Sequence, residues 1–207
     1  MTFELWFAFT VAAGALIAIP GPTNLMVMAY GVRYGAKPAL GTVFGVVPGV
    51  IAAMTLSFLG LGAILATSSE LFILMKWAGA IYLVYLGIMQ WRSTSQLDKI
   101  EVDKQNISGM SIIVQAFTIT LLNPKGIIFY IAFMPQFISA NAPALPQMLI
   151  LGVTFLALVF PINTTYALLS GKLREAIQNQ RVLRTLNRTG GAMLIGAGIL
   201  TVSLKRT

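Results

Sequence analysis

Long apolar stretches alternate with short polar ones along the chain, and the charged residues mark the seams. No charged residue occurs from Leu5 to Val32, from Pro38 to Ser69, or from Gly126 to Gly171. A helix needs about 20 apolar residues to cross a hydrocarbon core about 30 Å thick. The first two runs therefore hold one span each. The third holds the end of one span and the whole of another. Leu71–Trp91 is interrupted only by Lys76, Gln105–Pro124 leads into the third run through Lys125, and Thr189–Leu204 is a shorter last run. The pattern predicts six helices, near 5–31, 38–65, 70–91, 110–138, 147–170 and 189–204.

Composition supports this reading. Of the 207 residues, 57% are hydrophobic and 10% are charged, whereas soluble domains carry about 25% charge. So few polar side chains cannot cover a soluble globule, and a segment this apolar is not disordered. The chain has no cysteine and no histidine, which removes the usual ligands of zinc, haem and iron–sulfur clusters. No metal and no cofactor are expected. The fold class expected is an all-α polytopic membrane protein.

Lysine and arginine in the short loops set its orientation. Arg33 and Lys37 follow the first helix, Arg92, Lys99 and Lys104 the third, and Lys172, Arg174, Arg181, Arg184 and Arg188 the fifth. The opposite side has only Lys205 and Arg206. The richer side is expected to be cytoplasmic, with both termini periplasmic. The net charge of +8 thus follows from topology, and no nucleic-acid partner is implied. No Lys or Arg precedes Arg33, so the first apolar run is expected to be a span and not a secretory signal.

The two halves correspond. Helix one is interrupted by Pro20, Gly21 and Pro22, followed by Asn24; helix four is interrupted by Asn123, Pro124 and Lys125. Pro38-Ala39-Leu40 opens helix two, and Pro143-Ala144-Leu145 precedes helix five. Gly79-Ala80, Leu83 and Gly87 in helix three match Gly190-Gly191, Leu194 and Gly198 in helix six. All three offsets fall between about 103 and 111 residues. Three spans per half place the second half upside down, so the expectation is one transmembrane transporter domain over 1–207. It comprises two inverted three-helix repeats, 1–95 and 108–207, joined by a cytoplasmic loop at 92–108. Proline removes a backbone donor and opens a helix, and freed backbone groups in hydrocarbon must face protein or a wet cavity. Two such breaks near the midplane make a polar site, or else kinks that only improve packing.

Pro-Gly-Pro in helix one and Asn-Pro-Lys in helix four are accompanied by Pro135-Gln136-Phe137 and by Lys76-Trp77-Ala78-Gly79-Ala80-Ile81-Tyr82-Leu83, continuing to Leu86-Gly87. As a set these segments resemble the LysE/RhtB family of bacterial amino-acid exporters over nearly the whole chain, most of all its homoserine/threonine/homoserine-lactone branch. The resemblance implies an inner-membrane efflux carrier, driven by a proton or ion gradient, for small amino acids and derivatives.

Ionisable groups within spans are costly and mark function. Lys125 lies mid-span, and no Asp or Glu lies clearly within any span. A cationic substrate would need such a carboxylate, so a zwitterion or neutral derivative suits the inventory better. Lys125 is expected to meet the substrate carboxylate. Carbonyls freed at Pro20–Pro22, with Asn24 and Asn123, are expected to receive its ammonium or hydroxyl. Lys76 lies about 9 Å into helix three and either lines the pathway or snorkels to the headgroups. Tyr82, Tyr85 and Tyr130 either line the pathway or pack. Gly41, Gly45 and Gly49 form a small-residue face for contact within the bundle or for a homodimer, the former preferred. Leu173, Ile177 and Leu183 lie among the cations of 172–188, in a pattern that suits an amphipathic helix on the lipid surface. Two other classes compete. A passive channel for small polar solutes would use the same path. An intramembrane Ser–Lys enzyme would need a nucleophile in a Gly-rich turn, which is lacking.

Overall fold

The computed structural model describes residues 1–67, 69–92, 108–138, 142–170, 172 and 179–203, and these contain helices and turns but no strand. Helix α1 (Phe3–Ala18) starts at Thr2, whose hydroxyl accepts the Leu5 N–H at 3.4 Å. α2 (Pro22–Tyr34) follows after a bend of 48°. A single residue, Gly35, links it to α3 (Ala36–Thr67). Its φ of 87° is a conformation that side-chain-bearing residues rarely adopt. α4 (Ser69–Arg92) completes the first half.

The second half begins with α5 (Gly109–Leu121), capped by the Ser108 hydroxyl on the Ser111 N–H at 3.2 Å. After a bend of 44° comes α6 (Pro124–Ile128). The chain then loosens into a π-helical turn, Phe129–Phe133, and tightens into a 3₁₀ turn, Met134–Phe137. Pro135 cannot donate to the carbonyl one turn back, which disrupts the regular ladder there. α7 (Ala144–Leu168) and α8 (Gln180–Ser203) complete the chain.

Two of these helices, α3 and α7, are long and apolar enough to cross a membrane; the bent pairs α1–α2 and α5–α6 are also, if each is one span. Outward faces carry Phe7, Phe44, Leu59, Ile81, Val153 and Phe160, all exposed. Such continuous apolar surface suits lipid and not water.

The last helix differs from the sequence expectation. It starts at Gln180 rather than near 189, and Arg181, Arg184 and Arg188 stand exposed on its first turns. Charge does not end a helix; caps do. Asn179 accepts the Arg181 N–H at 3.0 Å and starts the helix there. The rest of the amphipathic stretch, including Leu173 and Ile177, lies outside the described residues, as do most of the connecting loop and Lys205 and Arg206.

Packing between the halves relies on missing side chains. A Cβ on Gly45 would sit 2.2 Å from the Ile113 carbonyl oxygen, and one on Gly49 would sit 2.9 Å from that of Phe117. The Gly41–Gly49 face is therefore filled by α5 of the same chain, the contact within the bundle that the spacing suggested. α4 and α8 pair antiparallel. A Cβ on Gly87 would meet Gly191 O at 2.7 Å, one on Gly191 would meet Gly87 O at 2.5 Å, and Gln90 donates to Asn187 Oδ1 at 2.7 Å. Trp6 donates its indole N–H to Thr154 Oγ1 at 3.0 Å and ties α1 to α7. A buried aromatic cluster, Phe9, Phe129, Phe133, Phe137 and Phe155, fills the core beside the breaks.

Candidate functional site

Covalent chemistry creates the first break. In a continuous helix, residue 20 would donate to Leu16 O and residue 22 to Ala18 O. Both are proline, so neither carbonyl can be satisfied from its own helix. Other elements supply the donors. Lys125 Nζ, from α6, bonds Leu16 O at 2.9 Å and Ile19 O at 3.3 Å. Tyr166, from α7, donates its hydroxyl to Ala18 O at 2.7 Å. Asn24, from the first turn of α2, folds back to Ile17 O at 2.7 Å and Ile19 O at 3.3 Å. The carbonyl end of α1 is thus capped by three side chains from three elements. The cation also sits at the negative end of that helix dipole.

The second break is built in the same way from the other direction. Pro124, like Pro22, occupies the start of the second half-helix, where its missing N–H is harmless. Asn123 caps α6 by accepting the Lys125 backbone N–H at 3.1 Å, and its amide donates to Thr23 Oγ1 at 3.1 Å. Thr23 and Thr120 hydroxyls lie 3.5 Å apart. The two breaks are therefore joined directly, through Asn123–Thr23 and Lys125–α1.

Between them lies a cavity of about 70 Å³. Gly21, Asn24, Asn123, Lys125 and Tyr130 line it, together with Thr23, Thr120 and Asn163. About 10–15 Å³ on this measure admits one water, so the cavity has room for a few. Its apolar wall includes Val46, Val50, Phe155 and Val159. Tyr130 packs edge-on against Phe155, with centroids 5.3 Å apart.

Not every expected residue is here. Pro20, Pro22 and Pro124 do not line the cavity: Pro20 is buried behind it, and Pro22 and Pro124 are exposed at their helix starts. Their part is to make the breaks. Tyr82 and Tyr85 pair with each other on α4, 5.8 Å between centroids, and neither lines the cavity; Tyr85 is exposed. Lys76 lies on α4, and its side chain is outside the described residues. The carbonyls freed at the first break, expected to receive a substrate ammonium, are already occupied by Lys125, Asn24 and Tyr166. Four contributors escaped the sequence reading: Thr23, Thr120 and the α7 pair of Asn163 and Tyr166. The signal for the last was Pro161-Ile162-Asn163, a proline and an amide inside an apolar span, the same combination that marked helix one.

The LysE type translocator family profile matches residues 14–204. The chain belongs to the LysE family. It is similar to the "Homoserine/homoserine lactone efflux protein" of Salmonella typhimurium, 34% identical over 205 residues, 99% of each chain. It is also similar to an "Uncharacterized membrane protein" of Vibrio cholerae, 32% identical over 99% of this chain and 100% of that one. A "Leucine efflux protein" of Klebsiella pneumoniae is 33% identical over 66% of this chain and 65% of its own. No solved structure matches. This LysE-family chain is accordingly a membrane translocator and not an enzyme, with amino-acid efflux proteins among its relatives.

Proposed function

We propose that this protein is a secondary-active exporter of small neutral amino acids or their derivatives, such as homoserine, threonine and homoserine lactone, across the bacterial inner membrane. In this reading α1–α2, α3, α4, α5–α6, α7 and α8 form six spans in two inverted repeats, with both termini periplasmic. Gly21, Asn24, Asn123 and Lys125 contact the substrate, and the prolines at 20, 22 and 124 hold the breaks open. Tyr130 walls the path.

One observation carries the reading: the ammonium of Lys125 stands in a cavity formed where two proline-broken helices meet. A carboxylate is the partner chemistry for such a group, and its two carbonyl bonds leave one ammonium proton to receive it. Rocking of the two repeats about this central site would carry the substrate from one side to the other. No Asp or Glu is among the described residues lining the cavity to match a cationic side chain, which favours neutral substrates.

Counterflow in proteoliposomes tests the proposal. Labelled homoserine should exchange saturably against internal homoserine or threonine and not against lysine. Flux that does not saturate and shows no counterflow would make the protein a passive channel and overturn the carrier reading.

A further inference from the structure

Asn163 is 2% exposed on α7 and lines the cavity. Its amide donates to Val159 O at 3.0 Å, which fixes the orientation, because a flipped amide would set oxygen against oxygen. The other end, Oδ1, is buried without a partner, the one such side-chain atom among the described residues. Leaving a buried acceptor empty is costly, and native structures do so for a reason. The carbonyls at the end of α1 already have donors. Lys125, Asn24 and Tyr166 hold the carbonyls of Leu16, Ile17, Ala18 and Ile19. A substrate amine placed among them would share a carbonyl that already has a donor, whereas Asn163 Oδ1 has none.

We infer that Asn163 Oδ1 receives the ammonium group of the substrate, so that the site reads a primary amine at Asn163 and a carboxylate at Lys125. This rests on the proposed function and sharpens it. An amino acid and its lactone share the amine but not the carboxylate. Asn163 would then be the contact common to both, and Lys125 the one that separates them. A neutral amide accepts the ammonium without adding a second fixed charge to the span.

The test compares homoserine with 4-hydroxybutyrate, the same skeleton without the amine, as competitors of labelled homoserine in proteoliposome counterflow. Wild type should favour homoserine by about tenfold or more, the loss expected when a bond to a charged group is removed. Asn163→Leu, which keeps the branched shape and deletes the acceptor, should bring the ratio close to one. Asn163→Asp keeps an acceptor and should keep the preference, which guards against a Leu variant that fails to fold. A Leu variant that retains the wild-type ratio would overturn the inference and leave Oδ1 to a water. So would an Asp variant that loses the preference. A wild-type protein that exchanges no amino acid would overturn the proposed function, and this inference with it.

Discussion

Replacing Lys125 by methionine keeps the stem and removes the ammonium, and its cost can be worked from the α1 cap. Ile19 O keeps the Asn24 amide at 3.3 Å. Leu16 O keeps nothing, because the residue that would serve it is Pro20. One charge-assisted bond to a carbonyl without a substitute contributes about 1.5–3 kcal/mol net. Lys125→Met should therefore lower stability by about 2 kcal/mol. Tyr166→Phe, which deletes one neutral bond to Ala18 O, should lower it by about 1 kcal/mol. Reversible unfolding in mixed micelles measures both. The transport role adds a second readout. Homoserine at a hundred times its Kd should stabilise wild type by about 2.7 kcal/mol and the methionine variant hardly at all, with amino-acid export nearly lost and lactone export less affected. Lys125→Arg should be partly tolerated, since a planar fork does not fit a point-charge site. A methionine variant as stable as wild type would refute the cap energetics. One that exports amino acids at the wild-type rate would remove Lys125 from the substrate site.

Gly45→Ala should destabilise by about 1–3 kcal/mol or more, because its methyl would meet the Ile113 carbonyl, a backbone atom that cannot turn away; Gly14→Ala, with nothing within 4 Å, should be nearly silent in the same unfolding assay. Pro124→Ala restores a backbone donor at the second break and should lower export of a toxic amino-acid analogue steeply while the protein still inserts; Asn123→Ala should cost about 1 kcal/mol, release Thr23 and lower the same export. A reporter fused after Thr207 should be active only in its periplasmic form. Activity only in a cytoplasmic reporter would overturn the proposed orientation, and with a periplasmic N-terminus it would mean an odd number of crossings and end the inverted-repeat reading.

The helix breaks were legible because proline acts through its own covalent structure: Pro20, Pro22 and Pro124 delete donors wherever they fold. Lys125 was legible because a charge stands out in an apolar run. What the Lys125 ammonium touches was not, since its partners lie 109 and 106 residues away in sequence and are plain backbone oxygens. Asn163 and Tyr166 carry no charge and sit inside an otherwise continuous apolar helix, so a reading that followed charges and breaks passed over them. Tyr82 and Tyr85 share their composition with Tyr130 but face another way, which depends on how α4 rotates against α8. The onset of α8 was missed because arginines on an exposed helical turn look the same in sequence as arginines in a loop.

The three-way cap on α1 also governs how the molecule can move. Lys125, Asn24 and Tyr166 anchor one helix end to α6, α2 and α7, so α1 cannot swing by itself. A tilt that keeps one donor and loses the other two strands carbonyls in an apolar surround, and each stranded group costs about 1–3 kcal/mol. In the carrier proposed above, halfway geometries would thus be the poorest ones, and exchange between arrangements would be concerted, all donors leaving together or none. A barrier of that shape would suppress states open to both sides at once. For the exporter proposed above, the proline-made defect would then also keep the membrane from leaking.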